Sequence, residues 1–257
     1  MTTITSVLAS AWFLGSLSLS VRAGELLSAV SDDKSEFIDV QQVNSKILID
    51  IRYASDHNFV GGPIDGYRAP KCLLTKVAAD KLSAVQKEAE KLSLSLKVYD
   101  CYRPFRAVKH FVLWAHDATQ TMKGEFYPQF DKRDAFRLGY ISDRSGHCRG
   151  STIDLTLVPI PTPKQPAYKR GDPLSPCNGP TQSRFKDNSI DMGTGYDCFD
   201  PLSQTIQPKV SKVAQSNRLL LKKLMEKQGF KNYEGEWWHY SLIEEPFPST
   251  YFDFAIQ

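Results

Sequence analysis

Apolar positions along the chain fall into a few periodic runs separated by polar, turn-rich stretches. In "TKVAADKLSAVQKEAEKL" (75–92) they recur at 77, 78, 82, 85, 89 and 92. That is the spacing of one helix face, with Thr75 as its N-cap. "LSLKVYD" (94–100) alternates instead, in the manner of a half-buried strand. "RPFRAVKHFVLWAHDAT" (103–119) reads as a second helix, with Pro104 in the first turn, where its missing N–H costs nothing. "STIDLTLVPI" (151–160) reads as a strand, and 161–190, rich in Pro, Lys, Ser, Gly and Asn, as a long surface loop. "SKVAQSNRLLLKKLMEKQGF" (211–230) is an amphipathic helix closed by Gly229, leading back to "EWWHYSL" (236–242), a further strand. Strands interleaved with helices, without regular βαβ spacing, predict a single α+β domain.

The N-terminus departs from this pattern. "SVLASAWFLGSLSLSV" (6–21) is uncharged and apolar, and Val21 and Ala23 sit at minus three and minus one of a cut after Ala23. That is the small-residue pattern of a signal peptide. The expected organisation is therefore a signal peptide at 1–23 and an exported, periplasmic mature chain at 24–257. A retained anchor is the alternative, since no Lys or Arg precedes the apolar run. Across 257 residues the formal net charge is only +3, with no Lys/Arg run of the kind that tracks phosphates. Nucleic acid is not an expected partner. Export also changes how the five cysteines read: none forms a C-x-x-C pair, so disulfides become the default and an odd count leaves one thiol over.

Candidate chemistry concentrates in two stretches. "SGHCRGSTIDLTL" (145–157) puts His147 seven positions before Asp154, with the turn-prone Arg149-Gly150-Ser151 between them. His147 can then sit in a turn and Asp154 at the start of a strand. "EGEWWHYSL" adds His239, three residues after Glu236. Trp237 and Trp238 can instead mark a purely structural aromatic cluster, so this segment supports either reading alone. Together His147, Asp154 and His239 make a two-imidazole, one-carboxylate set that leaves a fourth zinc position for water. Glu236 is placed to take and return a proton. Arg103, at a strand–helix junction, can meet negative charge developing on a carbonyl oxygen, or form an ordinary surface salt bridge. His110 and His116 lie six apart, too far round a helix to share a face, and His57 stands alone in a loop. All three read as ordinary, partly exposed histidines.

Four runs occur in order: Y-D-x-Y-R-P, S-x-H-x-R-G-S-x-x-D-L-T-L, "DMGTGYDCFD" (191–200) and E-W-W-H-Y. Over roughly residues 37 to 245 the chain resembles the D-alanyl-D-alanine dipeptidases, the vancomycin-resistance type of zinc peptidase. The resemblance implies a Hedgehog/DD-peptidase-like α+β domain with an antiparallel-rich sheet flanked by helices. It also implies one zinc per chain and hydrolysis of free D-Ala-D-Ala to two D-alanines. Carried over by motif, His147, Asp154 and His239 match the zinc ligands, Glu236 the base and Arg103 the transition-state arginine. Ser145 and Asp197 match positions that hold the substrate ammonium. Two other readings stand beside it: a D,D- or L,D-carboxypeptidase trimming peptidoglycan stems, and a catalytically silent zinc-binding module. Cys101 and Cys148 fall inside two motifs, and the 158–190 loop, longer than a minimal member needs, bears on how tightly the mouth excludes longer peptides.

For the cysteines, the expectation is Cys177 with Cys198, closing about 20 residues of polar loop for roughly 3 kcal/mol on the chain-entropy model. Cys72 precedes the 75–92 helix and Cys101 ends the strand after it, so these two are expected to pair and brace the Arg103 turn. Cys148 is left as a free thiol beside His147.

Overall fold

The computed structural model describes residues 29–257, and the expected signal segment lies outside them. In chain order the elements are β1 (Ala29–Ser31), β2 (Phe37–Asp39), α1 (Val40–Val43), β3 (Leu48–Ile49), β4 (Leu73–Thr75), α2 (Lys76–Glu90) and β5 (Leu94–Asp100). They continue with α3 (Phe105–His116), α4 (Lys123–Phe126), β6 (Thr152–Pro159), α5 (Lys212–Lys227), β7 (Phe230–Asn232), β8 (His239–Leu242) and β9 (Thr250–Phe252). Five of the strands form the central sheet in the order β3-β5-β6-β8-β7. Only β3 runs parallel to its neighbour; the other pairings are antiparallel. This is the single α+β domain that the interleaved pattern predicts.

Helix α2 buries Ala78, Ala79, Leu82, Val85 and Ala89 against the sheet, while Val77 and Leu92, at the ends of the expected stripe, are exposed. Thr75 does stand at its N-cap, but the hydroxyl is diverted to Ser151 Oγ at 2.8 Å and gives the helix nothing. Pro104 is the residue before α3 rather than part of its first turn, so Arg103 precedes the helix altogether. Ser211 Oγ accepts the Ala214 N–H at 3.1 Å and caps α5, the side-chain solution to orphan helix donors.

Two expectations are corrected. Strand β5 is not half-buried: from Ser95 to Asp100 every residue is buried. Its second face is covered by the 161–190 loop, which has no helix or strand and is largely exposed, as expected of a surface loop, yet lays several side chains on the sheet. The Lys97 ammonium donates to Gln165 Oε1 and Asn188 Oδ1, each at 2.9 Å, and to the Asp187 carbonyl. Ile190 N–H reaches the Leu157 carbonyl at 2.9 Å. A strand whose polar side chains find partners in a covering loop still alternates in sequence, so alternation alone does not reveal the cover.

The second correction concerns "EWWHYSL". The strand begins only at His239, and Glu236 to Trp238 lie in a turn. Glu236 N–H donates to Tyr233 O at 3.0 Å and His239 N–H to Glu236 O at 3.3 Å. Both tryptophans are buried, and Trp237 Nε1 donates to Thr194 Oγ1 at 2.8 Å. The two readings of this stretch are compatible: the tryptophans build core while Glu236 and His239 face a cavity.

Disulfides join Cys72 to Cys101 and Cys177 to Cys198, and Cys148 is a buried free thiol. Burial pushes that thiol up to about 12, so it stays protonated and inert.

Candidate active site

His147 lies in a 3-10 turn, Gly146–Arg149, capped by Ser145, whose Oγ accepts the His147 N–H at 3.3 Å. Gly150 closes the turn at φ +77°, a conformation few side chains tolerate, and a Cβ there would lie 2.2 Å from the Phe37 ring. The chain then enters β6, where Asp154 is directly opposite His239 of β8 in the antiparallel register. Facing residues of such a pair project on the same side of the sheet. The turn and the register together bring the three side chains to one point.

His147 Nδ1 is 2.7 Å from the Cys101 carbonyl, which can only accept, so Nδ1 carries the proton and Nε2 presents its lone pair. That Nε2 is 3.4 Å from His239 Nδ1 and 3.3 Å from Asp154 Oδ1, and the latter two atoms are 3.1 Å apart. A tetrahedral ion with bonds of ~2.0–2.1 Å needs ligand atoms about 3.3 Å apart. Asp154 Oδ1 is moreover buried without a hydrogen-bond partner, a costly arrangement unless a cation meets it. Its other oxygen accepts the Tyr196 hydroxyl at 3.0 Å. Burial would raise this carboxyl, but the two imidazoles hold it below the usual carboxylate range. The three residues fit a metal ion, and they are the group with that geometry among the described residues.

Glu236 Oε2 lies 3.4 Å from His239 Nδ1, beside this triangle. Burial, with Asp154 and Asp197 nearby, raises its carboxyl well above the ordinary range, which suits a group that must hold a proton part of the time. Arg103 is not at the surface. Its Nε donates to Asp100 Oδ2 at 3.0 Å and Nη2 is ion-paired with the same oxygen at 2.9 Å, Nη1 is 3.4 Å from Ser145 Oγ, and Nη2 is 3.8 Å from Asp154. The guanidinium also packs over the rings of Tyr53 and Phe111, which fixes its plane. Asp197 is buried and accepts the Tyr53 hydroxyl at 2.8 Å, and burial together with Asp154 pushes its carboxyl up to about 8.

All seven expected site residues line one cavity of about 880 Å³. No residue of the 161–190 loop does; the outer wall is built by the 133–143 segment and Tyr233. The loop therefore does not shape the mouth, contrary to expectation. His57 is a second departure. It is buried rather than partly exposed, with Nδ1 3.2 Å from Arg52 Nη1 and Nε2 2.9 Å from Glu125, and it is stacked on Tyr168. The loop packing over it removes it from solvent. His110 remains partly exposed and His116 exposed; His116 lines the cavity, but neither belongs to the triangle.

Sequence reasoning passed over Asp100, Tyr53 and Tyr196. Asp100 is fully buried, orients Arg103 and accepts the Tyr67 hydroxyl at 2.6 Å. Asp100 and Tyr196 each stand inside one of the four motifs, beside Cys101 and Asp197, and that adjacency is the signal the sequence offers.

The peptidase family described as D-ala-D-ala dipeptidase (Peptidase M15) matches residues 33–160 and 182–257. A Streptomyces coelicolor protein named D-alanyl-D-alanine dipeptidase is 37% identical over 222 residues, covering 86% of this chain and 98% of its own. Proteins of the same name from Enterococcus faecalis and Escherichia coli are 34% and 30% identical, covering 86% and 82% of this chain and 98% and 86% of theirs.

Proposed function

The chain belongs to the D-Ala-D-Ala dipeptidase family of metallopeptidases, and from that membership we propose that it hydrolyses free D-Ala-D-Ala with zinc held by His147, Asp154 and His239. The observation that carries the proposal is the triangle of ligand atoms, 3.1 to 3.4 Å on each side, with Glu236 beside it and Asp197 in the same cavity. When bound, such an ion supplies Lewis acidity, drawing the pKa of water down towards ~7 and polarising a carbonyl. Glu236 takes the water proton on its carboxylate and returns it to the leaving amine. Arg103, fixed by Asp100, places its positive charge against the oxygen on which negative charge develops. Asp197, its carboxyl pushed up to about 8 in the empty pocket, is drawn back to the carboxylate by an ammonium placed against it, which gives a buried free amino terminus its counter-charge. Ser145 adds to that pocket as the weaker acceptor, because its oxygen already receives the His147 N–H and faces an Arg103 N–H.

An ammonium acceptor inside the cavity favours a dipeptidase over an enzyme that trims longer stems, and the partly buried Glu236 and buried Arg103 have no use in a silent binding module. The mature chain, 24–257, is proposed to act after export to the periplasm. Two disulfides support an oxidising compartment, and no helix among the described residues is long and apolar enough to cross a membrane.

Product analysis tests the substrate assignment. The purified protein is expected to release D-alanine from D-Ala-D-Ala and to leave both L-Ala-L-Ala and N-acetyl-D-Ala-D-Ala intact. Comparable rates on the acetylated dipeptide would remove the ammonium role and move the assignment to a carboxypeptidase.

A further inference from the structure

We infer that the Cys177–Cys198 disulfide sets the position of Asp197, so that substrate affinity follows the oxidation state of this bridge. The inference rests on the assignment of Asp197 as the ammonium acceptor. Asp197 has φ +53°, in the left-handed region, which still costs a residue with a Cβ energy although Asp tolerates it better than most, so its surroundings help to hold it there. Cys177 supplies two of those restraints. Its carbonyl accepts the Gly195 N–H at 2.8 Å on one side of Asp197, and its sulfur is bonded to Cys198 on the other. Cys177 is itself tied down through its N–H to the Glu125 carbonyl at 3.0 Å, while Phe199 N–H donates to Phe126 O at 2.8 Å.

The same segment braces Asp197's partner. Tyr53, which donates to Asp197, follows Arg52, and the Arg52 guanidinium lies over Phe185 and against His57. His57 in turn stacks on Tyr168 with ring centroids 4.4 Å apart. Tyr168 and Cys177 both fall in residues 161–181, the stretch outside the family match. Unlike Tyr53 and Asp197, neither Cys177, Cys198 nor Tyr168 lines the cavity, and none of the three belongs to the ligand triangle. Cys177 and Cys198 are therefore positioning residues that reach the reaction through Asp197.

Steady-state kinetics on D-Ala-D-Ala with the zinc-loaded full chain separate this from general stabilisation. Asp197→Asn is the reference and should raise KM. Cys177→Ser with Cys198→Ser should raise KM about tenfold, the order of the left-handed backbone preference, with kcat within twofold and zinc content unchanged. Adding Asp197→Asn to that pair should give the KM of Asp197→Asn alone, because both changes act through one carboxylate. An unchanged KM in the serine pair, a kcat that falls with it, or multiplicative effects in the combined variant would overturn the inference. An Asp197→Asn enzyme with unaltered KM would instead show that the ammonium assignment itself fails.

If the serine pair does not fold, the wild-type chain answers the same question under graded phosphine reduction. In that step the S–S bond breaks, two S–H bonds form, and the phosphine takes the oxygen of one water to become its oxide. KM rising in step with the fraction of open Cys177–Cys198, counted by mass spectrometry, supports the inference. KM staying flat while that bridge opens overturns it.

Discussion

Arg103 shows how much a single side chain's role depends on what surrounds it. By position alone it could have been a surface salt bridge; in the fold it is buried, hydrogen-bonded and ion-paired to Asp100, and packed against the rings of Tyr53 and Phe111. Lysine keeps the charge but not the planar fork of donors. Arg103→Lys should therefore lose about 10²–10³-fold in kcat, the range for an oxyanion donor, with little change in KM. An effect confined to KM would recast the residue as a ground-state anchor. At this scale the candidate ligands and Glu236 were legible because histidine, glutamate and aspartate at short spacing are chemically distinctive. Asp100 and Tyr196 were not, since a carboxylate that orients an arginine and a hydroxyl that holds a ligand have no signature until the chain is folded.

The elements that position the site were legible in outline. Helices α2, α3 and α5 lie within a few residues of their expected limits because each has a periodic apolar face to bury. The strand bounds were less accurate. "EWWHYSL" has strand-like composition throughout, yet the turn closed by the His239 N–H to Glu236 O bond holds its first three residues. That turn is what lets an acid and a ligand three residues apart face the same cavity, which a strand would not allow. The turn at Gly150 is as constrained. Gly150→Ala would force a Cβ to within 2.2 Å of the Phe37 ring at φ +77°. It should cost about 2–3 kcal/mol, a fall in Tm of ~5–10 °C for a chain of this size. Since the same turn sets His147 against Asp154, bound metal should fall as well. Thermal unfolding beside elemental analysis checks both, and a variant with wild-type Tm and metal content would refute this account of the turn.

At the scale of the molecule, the 161–190 loop is the exposed connection its composition predicts, with a second role that composition does not show. Its composition is that of a solvated connection, but Lys97, Asp187, Asn188 and the Cys177–Cys198 bridge turn it into a cover for the sheet. Such a role comes from long-range partners that no local pattern encodes. The proposed export and the cysteine connectivity can be examined together by mass spectrometry of unreduced protein. The mature chain should begin at Gly24 and yield peptides linked Cys72–Cys101 and Cys177–Cys198. Cys148, its thiol pushed up to about 12, remains protonated far above neutral pH and should escape alkylation at pH 8 until the protein is unfolded. Linkage of Cys148 to another cysteine, or its rapid alkylation in the native state, would contradict the placement of that residue.

The central claim, a metal-dependent hydrolysis in which Glu236 carries the proton, is tested most directly by adding zinc back to chelator-stripped protein. D-alanine release from D-Ala-D-Ala is measured for wild type and for Glu236→Gln, with bound zinc counted in the same samples. Wild-type activity should return in proportion to zinc and saturate at about one ion for the one triangle of candidate ligand atoms among the described residues. Glu236→Gln should bind the same amount yet turn over ~10²–10⁴-fold more slowly, the usual contribution of a general acid–base group. Full activity in the stripped protein, or a glutamine variant within a few-fold of wild type at equal zinc, would contradict the account.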